Sequence, residues 1–219
     1  KLESVLAEGH DKTAAVIIVL KELMELHGCV IFGGDGYSPE WHKEAVEKRG
    51  LKNIPTTADA LPVLKDEAII NLFKSTGVLT PQELSSRFSV YAEQYILSIE
   101  VEAKLVIDIA TTKIYPAAVE YISKLAATSA SLATMAIPLD KTTLESAVAT
   151  ANKMMGLVAT LSSAIAKHDF DSDEAHMSYC AETICPLMLE IRTEADALEG
   201  VVSDELWPLP KYQEMLFIK

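Results

Sequence analysis

From Thr80 to Pro138 the chain keeps a helical spacing of apolar residues with hardly a pause. Thr80-Pro81-Gln82-Glu83 opens the run as a capping box with proline at the first helical position. Leu84, Phe88, Tyr91, Tyr95, Ile99, Ala103, Val106 and Ala110 then recur at steps of three and four. After Pro116 the stripe resumes through Ile122, Leu125, Ser129 and Leu132. That period lines one side of a rod, whereas a strand would alternate its faces. Unbroken, Pro81 to Met135 would span about 80 Å at ~1.5 Å per residue. An interior proline removes a hydrogen bond and crowds the preceding turn, costing ~3 kcal/mol. Tyr115-Pro116 therefore implies either a kink or two helices in near-continuation.

The segments around this rod point to an all-α fold, an antiparallel helical bundle with long, proline-kinked helices. A helix from about Thr143 to Lys167 has the near-heptad seam Leu144, Val148, Ala151, Met155, Val158, Leu161 and Ile165. The acidic connector His168 to Asp173 leads into a further helix bearing Met177, Cys180, Ile184, Leu187, Ile191 and Leu198, with Pro186 as a second kink. Ahead of the bundle lies a smaller helical segment containing a Gly-rich turn. Its first helix runs from Asp11 to His27 and places Val16, Leu20, Leu23 and either Met24 or His27 on one face. Cys29 to Phe32 is a strand or an extended connector. Gly33-Gly34-Asp35-Gly36 then turns the chain into a helix capped by Ser38, begun by Pro39 and stopped by Gly50. Residues 51–64, with Pro55 and Pro62, are a connector, and Asp66 to Thr76 is a helix ended by Gly77. The expected divisions are 1–78, 79–200 and a C-terminal tail 201–219. The tail's Trp207 to Phe217 is too apolar and aromatic to float free, so it docks on the protein or on a partner subunit.

The formal net charge of −13 argues against nucleic acid and anionic membranes as partners. The most apolar run, Ala14 to Leu20, falls far short of the ~20 residues a membrane span needs. Cys29, Cys180 and Cys185 are few, odd in number and without C-x-x-C spacing, as expected of buried thiols in a reducing compartment. Cys180 and Cys185 fall on different faces of an α-helix. The chain begins at Lys1 without methionine, as a processed protein or a fragment would.

Candidate chemistry is thin. The glycine turn could cradle a phosphate, but it matches neither G-x-G-x-x-G nor the P-loop, and a structural corner is favoured. Asp169-x-Asp171-x-Asp173 begins like a calcium loop, yet Glu174 stands where glycine is required and Cys180 where glutamate is. A di-iron bundle needs paired Glu-x-x-His motifs, and the nearest approach is a single Asp173-x-x-His176. His176 reads as an exposed helix histidine rather than a phosphoryl acceptor. Glu100 and Glu102, two apart on a helix, do not face each other, and Glu100 is placed to pair with Lys104. No catalytic, cofactor-binding or metal-ligating residue is assigned.

The block Val30 to Asn53, with the glycine turn, Ser38-Pro39-Glu40-Trp41, Glu44, Ala45, Lys48, Arg49, Gly50 and Leu51, resembles a stretch near the end of type III glutamine synthetases. The likeness continues through Thr56 to Pro62, Gly77-Val78-Leu79, Glu83-Leu84-x-x-Arg87, Glu93-Gln94-Tyr95 and Pro116-Ala117-Ala118. It closes on Asp196-x-Leu198-Glu199 and Trp207 to Phe217. One departure is Gly33, where that family usually has asparagine. The resemblance implies the C-terminal helical region of an enzyme that joins ammonia to glutamate using ATP and magnesium or manganese. The catalytic barrel would lie elsewhere in the same polypeptide, with neighbouring subunits of a homo-oligomer as further partners and the cytoplasm as location. This chain by itself would be inactive. The alternative is an independent helical-bundle interaction or oligomerisation module.

Overall fold

A computed structural model of the chain describes residues 1–216, so the expected docking of Phe217 lies outside the described residues. Every regular element among those residues is helical, and they divide into two compact units, Lys1–Asn53 and Ile54–Lys219. The dividing point differs from a boundary at 78/79. Residues 54–78 pack with the long helices: Ala58 is buried, and Leu61 and Leu64 lie against a cluster containing Phe88 and Ala92.

In the first unit, α1 (Leu2–Ala7) packs on α2 (Lys12–His27). Asp11 caps α2, its carboxylate accepting from the N–H groups of Thr13 and Ala14 at 2.9 and 3.1 Å. Gly28 does not stop the helix in the left-handed conformation. It stays right-handed and opens a 3₁₀ turn, Gly28–Val30, that runs into extended backbone at Ile31. The stretch from Cys29 to Phe32 is thus a connector, with no strand. After the glycine turn comes α3 (Pro39–Glu47), followed by Gly50 at φ +64. Burial here departs from expectation. The face of α2 expected to form a core is exposed, Leu20 at 54% and Met24 at 55%, and the buried apolar side chains of this unit are Ala15 and Ala45.

The second unit opens with α4 (Thr57–Ala60), a 3₁₀ turn (Leu61–Lys65) and α5 (Glu67–Ser75), which ends at Thr76 with Gly77 at φ +69. Its first rod is α6 (Pro81–Ile109), a π turn (Ala110–Ile114) and α7 (Tyr115–Thr134), joined without a non-helical residue. Thr80 and Glu83 form both halves of the capping box. The second rod is α8 (Thr142–Ile165). The third joins α9 (Asp173–Tyr179), a π turn (Cys180–Ile184) and α10 (Cys185–Glu199).

Both π turns stand immediately ahead of a proline. The Tyr115 N–H donates to the Ala110 carbonyl and the Cys185 N–H to the Cys180 carbonyl, five residues back. Proline has no N–H to donate, and in an α-helix its ring collides with the carbonyl four residues earlier. Widening the turn relieves that collision. Pro116 and Pro186 are therefore absorbed by an extra residue in the preceding turn, and neither helix stops. Ala110, Ile114, Cys180 and Ile184 are buried, so these widened turns sit inside the core.

Short connectors make α8 antiparallel to its neighbours, while α9–α10 rises beside α6: Met177 joins Phe88 and Ala92, and Ile191 joins Val106 and Ala110. The buried seam of α8 is Ala147, Ala151, Met154, Val158 and Leu161. Ala151, Val158 and Leu161 lie inside as the heptad places them, whereas Ala147 and Met154 take the inside places expected of Val148 and Met155; Val148 is exposed and Met155 is partly buried against the cluster. On α6 the seam likewise passes through Ala92 and Ile96, and Tyr91 turns outward. In each case alanine occupies the inside, where a small side chain lets two helices approach closely. After α7 the chain closes in a Schellman turn, the Ile137 N–H donating to Leu132 and Ala136 standing at φ +57. Beyond α10, Val202 is buried and Trp207 and Leu209 pack against the main cluster, so the tail docks on the bundle at least to there. The last element, α11 (Tyr212–Leu216), leaves Met215 and Leu216 exposed.

Candidate functional site

The glycine turn is organised by its own side chains. The Asp35 carboxylate accepts from the Tyr37 N–H at 2.9 Å, and its carbonyl accepts from the N–H and hydroxyl of Ser38. Ser38 Oγ in turn accepts from the Trp41 N–H at 3.2 Å. Phe32 stacks on Trp41 with ring centroids 3.8 Å apart. The Arg49 guanidinium lies 4.9 Å from the Trp41 ring, donates to Glu44 Oε1 and reaches the Cys29 carbonyl. Arg49 thereby ties the start of the turn to the end of α3, a role no local pattern announces.

The N–H groups of Tyr37, Ser38 and Trp41 are engaged by Asp35 and Ser38, and the Asp35 carboxylate would repel an anion. Gly34 is required for a steric reason, because an added Cβ would come within 2.8 Å of the Phe32 ring. A Cβ at Gly33 would meet nothing within 4 Å, and φ there is not positive.

The second cluster lies where α6, the end of α8 and α9 meet. His176 stacks under Phe170 at 4.1 Å between ring centroids, with Glu100 Oε1 3.7 Å from its Nε2. Lys167 covers Phe170 and Tyr179, and the Tyr179 hydroxyl donates to the Ala164 carbonyl. His176 is half-buried rather than exposed, and burial lowers its pKa against an opposing pull from Glu100. Glu100 also meets Lys104 at 3.6 Å. The space among these groups amounts to about 10 Å³, barely a water's worth.

Cys180 and Cys185, separated by an α-helical count, are drawn together by the π turn, and Tyr95 lies beside both. Burial raises the Cys180 thiol to about 11 and the Tyr95 hydroxyl to about 12. Thiols so disfavoured as thiolates are poor nucleophiles. Cys29, expected to be buried, is exposed.

In the acidic connector Asp169, Asp171 and Asp173 all face solvent, Ser172 caps α9, and Glu174 pairs with Lys65. Among the described residues, no group of three His, Cys, Asp or Glu side chains is disposed to hold a metal ion. Nor is any described helix long and apolar enough to cross a membrane.

The family model for the glutamine synthetase C-terminal domain matches residues 15–133, more than half of the chain. The chain belongs to that family. Type-3 glutamine synthetase of Dictyostelium discoideum is 33% identical over 211 residues, which make up 92% of this chain and 28% of that protein. Glutamine synthetase of Bacteroides fragilis (strain YCH46) is 30% identical over all of this chain and 31% of its own length. That of Butyrivibrio fibrisolvens is 29% identical over 95% of this chain and 30% of its own. The chain thus spans less than a third of the relatives it matches, and it corresponds to the C-terminal region of the type-3 enzyme. The glutamine synthetase C-terminal domain match runs from Ala15 within α2 through the glycine turn to Ala133, one residue short of the end of the first rod of the bundle.

Proposed function

We propose that this chain is the supporting, non-catalytic region of a glutamate–ammonia ligase, whose ATP and divalent metal are bound in another part of the same polypeptide. The observation that carries the reading is coverage: relatives named glutamine synthetase align along nearly all of this chain but over less than a third of themselves. The engaged amides of the glycine turn and the solvent-facing connector carboxylates are consistent with it. On this reading residues 1–53 adjoin the catalytic portion, 54–200 form a bundle that props or assembles subunits of a homo-oligomer, and the tail after residue 200 closes it, all in the cytoplasm. The purified 219-residue chain is expected to form no glutamine from glutamate, ammonia and ATP with magnesium, whereas the longer polypeptide forms it. Turnover by the chain alone would refute the reading. So would a start codon immediately upstream of Lys1, because the alternative of a free-standing interaction module would then hold.

A further inference from the structure

Residues 12–32 expose more apolar side chain than the unit they belong to buries. On α2, Ala15 is fully buried, with Val19 and Glu22 on the same side half-covered, and α1 is the helix that packs there. Ile17, Leu20 and Met24 lie within about 60° of one another around the axis, since each residue advances ~100°. Their exposures are 61, 54 and 55%, and exposed Leu23 flanks them. Val30 and Ile31 continue the uncovered apolar run beyond the helix. Monomeric soluble proteins rarely leave such a contiguous patch bare. A unit of 53 residues whose buried apolar side chains are two alanines has little else to hold it.

We propose that the Ile17–Leu20–Met24 face of α2 is the seat on which an apolar surface of the remainder of the same polypeptide docks. The proposal rests on the reading above and names where the helical region meets the catalytic portion. Two observations favour this occupant. Most of each relative's length lies outside the match, and the matching family is named for a C-terminal domain, so a large body of chain is available to cover the face. Tethering in one chain gives an effective concentration in the millimolar range without any new contact.

Amide hydrogen exchange on the full-length polypeptide and on the 219-residue chain tests this, with Leu20→Glu/Met24→Lys as the probe. That pair makes the face polar and introduces an i, i+4 ion pair that supports the helix. Residues 15–27 are expected to exchange on the order of 100-fold more slowly in the full-length polypeptide than in the chain alone. The double variant should abolish that difference while leaving exchange around Met154 and Leu161 unchanged, which shows the bundle still folded. Equal exchange in the two wild-type forms would overturn the proposal. Slow exchange in the chain alone would also overturn it, by a second copy if dilution speeds it and by the chain's own residues if dilution does not. Failure of the broader reading is a separate result: the full-length polypeptide would make no glutamine, whatever residues 15–27 do.

Discussion

Two helices of this chain, α2 and α8, are both rich in apolar residues and meet opposite ends. In α8 the seam Ala147, Ala151, Met154, Val158, Leu161 is buried against α7 and α10. In α2 the corresponding stripe is exposed and the buried position is Ala15. The difference teaches that hydrophobic spacing states that a face needs cover and says nothing about what supplies it. Within residues 54–202 the cover comes from two linked clusters, one around Met154 and Leu161 and one around Phe88 and Met177. Within residues 1–53 no such cluster forms among the described residues.

Core truncation separates the two regions most sharply. Leu161→Ala removes a fully buried side chain and is expected to destabilise the bundle by ~2–5 kcal/mol in a urea melt. Leu20→Ala in the isolated chain should change the same melt by about 0.5 kcal/mol or less. Equal losses would break the comparison. Overpacking is the next largest effect: Ala103→Leu forces bulk into a site with no exposure and should cost ~1–3 kcal/mol.

Helix ends give smaller, opposed shifts. Thr80→Ala should lose ~1 kcal/mol, because the Glu83 N–H loses its cap and the Glu83 carboxylate, held below its usual range by the Thr80 N–H, loses one hydrogen-bond partner. Ala136→Gly should gain up to ~1 kcal/mol by relieving a left-handed alanine. Both are readable as changes in thermal midpoint, and a loss on Ala136→Gly would contradict the Schellman assignment.

The smallest effect is a pH slope. Burial holds His176 below the ordinary histidine range, with Glu100 opposing and His168 adding to the shift. As pH falls through about 6.5 the unfolded chain takes up the proton before the folded one does. Stability is thus complete above that value and declines as pH drops towards the folded pKa. His176→Gln should flatten the decline between pH 7 and 5 in melts at fixed salt. An unchanged slope would remove His176 from the account.

Much of the fold is legible in the residues because its signals are local. Thr80 and Glu83, Ser38 with Pro39, Asp66, Gly50 and Gly77 all act within one helical turn, and each marks an end where the structure has one. The π turns are not legible. Pro116 announces a conflict, but whether a kink, a break or an inserted residue resolves it depends on the packing around Ala110 and Ile114. On α8 the expected seam holds at Ala151, Val158 and Leu161 and fails at Val148 for a related reason: Val148 is the better hydrophobe, yet Ala147 permits the closer approach. At the candidate site, spacing shows only that the glycine turn departs from G-x-G-x-x-G and the P-loop. The roles of Arg49 and Phe170 arise from contacts between residues distant in sequence, and the resemblance that identifies the family carries no geometry.

The bundle holds itself together, whereas the apolar face of α2 is bare. Amide exchange along the isolated 219-residue chain at low denaturant tests it directly. The amides around Ala103–Ala118, Ala147–Leu161 and Ile184–Leu198 should open only with global unfolding, and those of residues 15–27 should exchange through local opening at far lower free energy. Protection of α2 equal to that of α8 would contradict it.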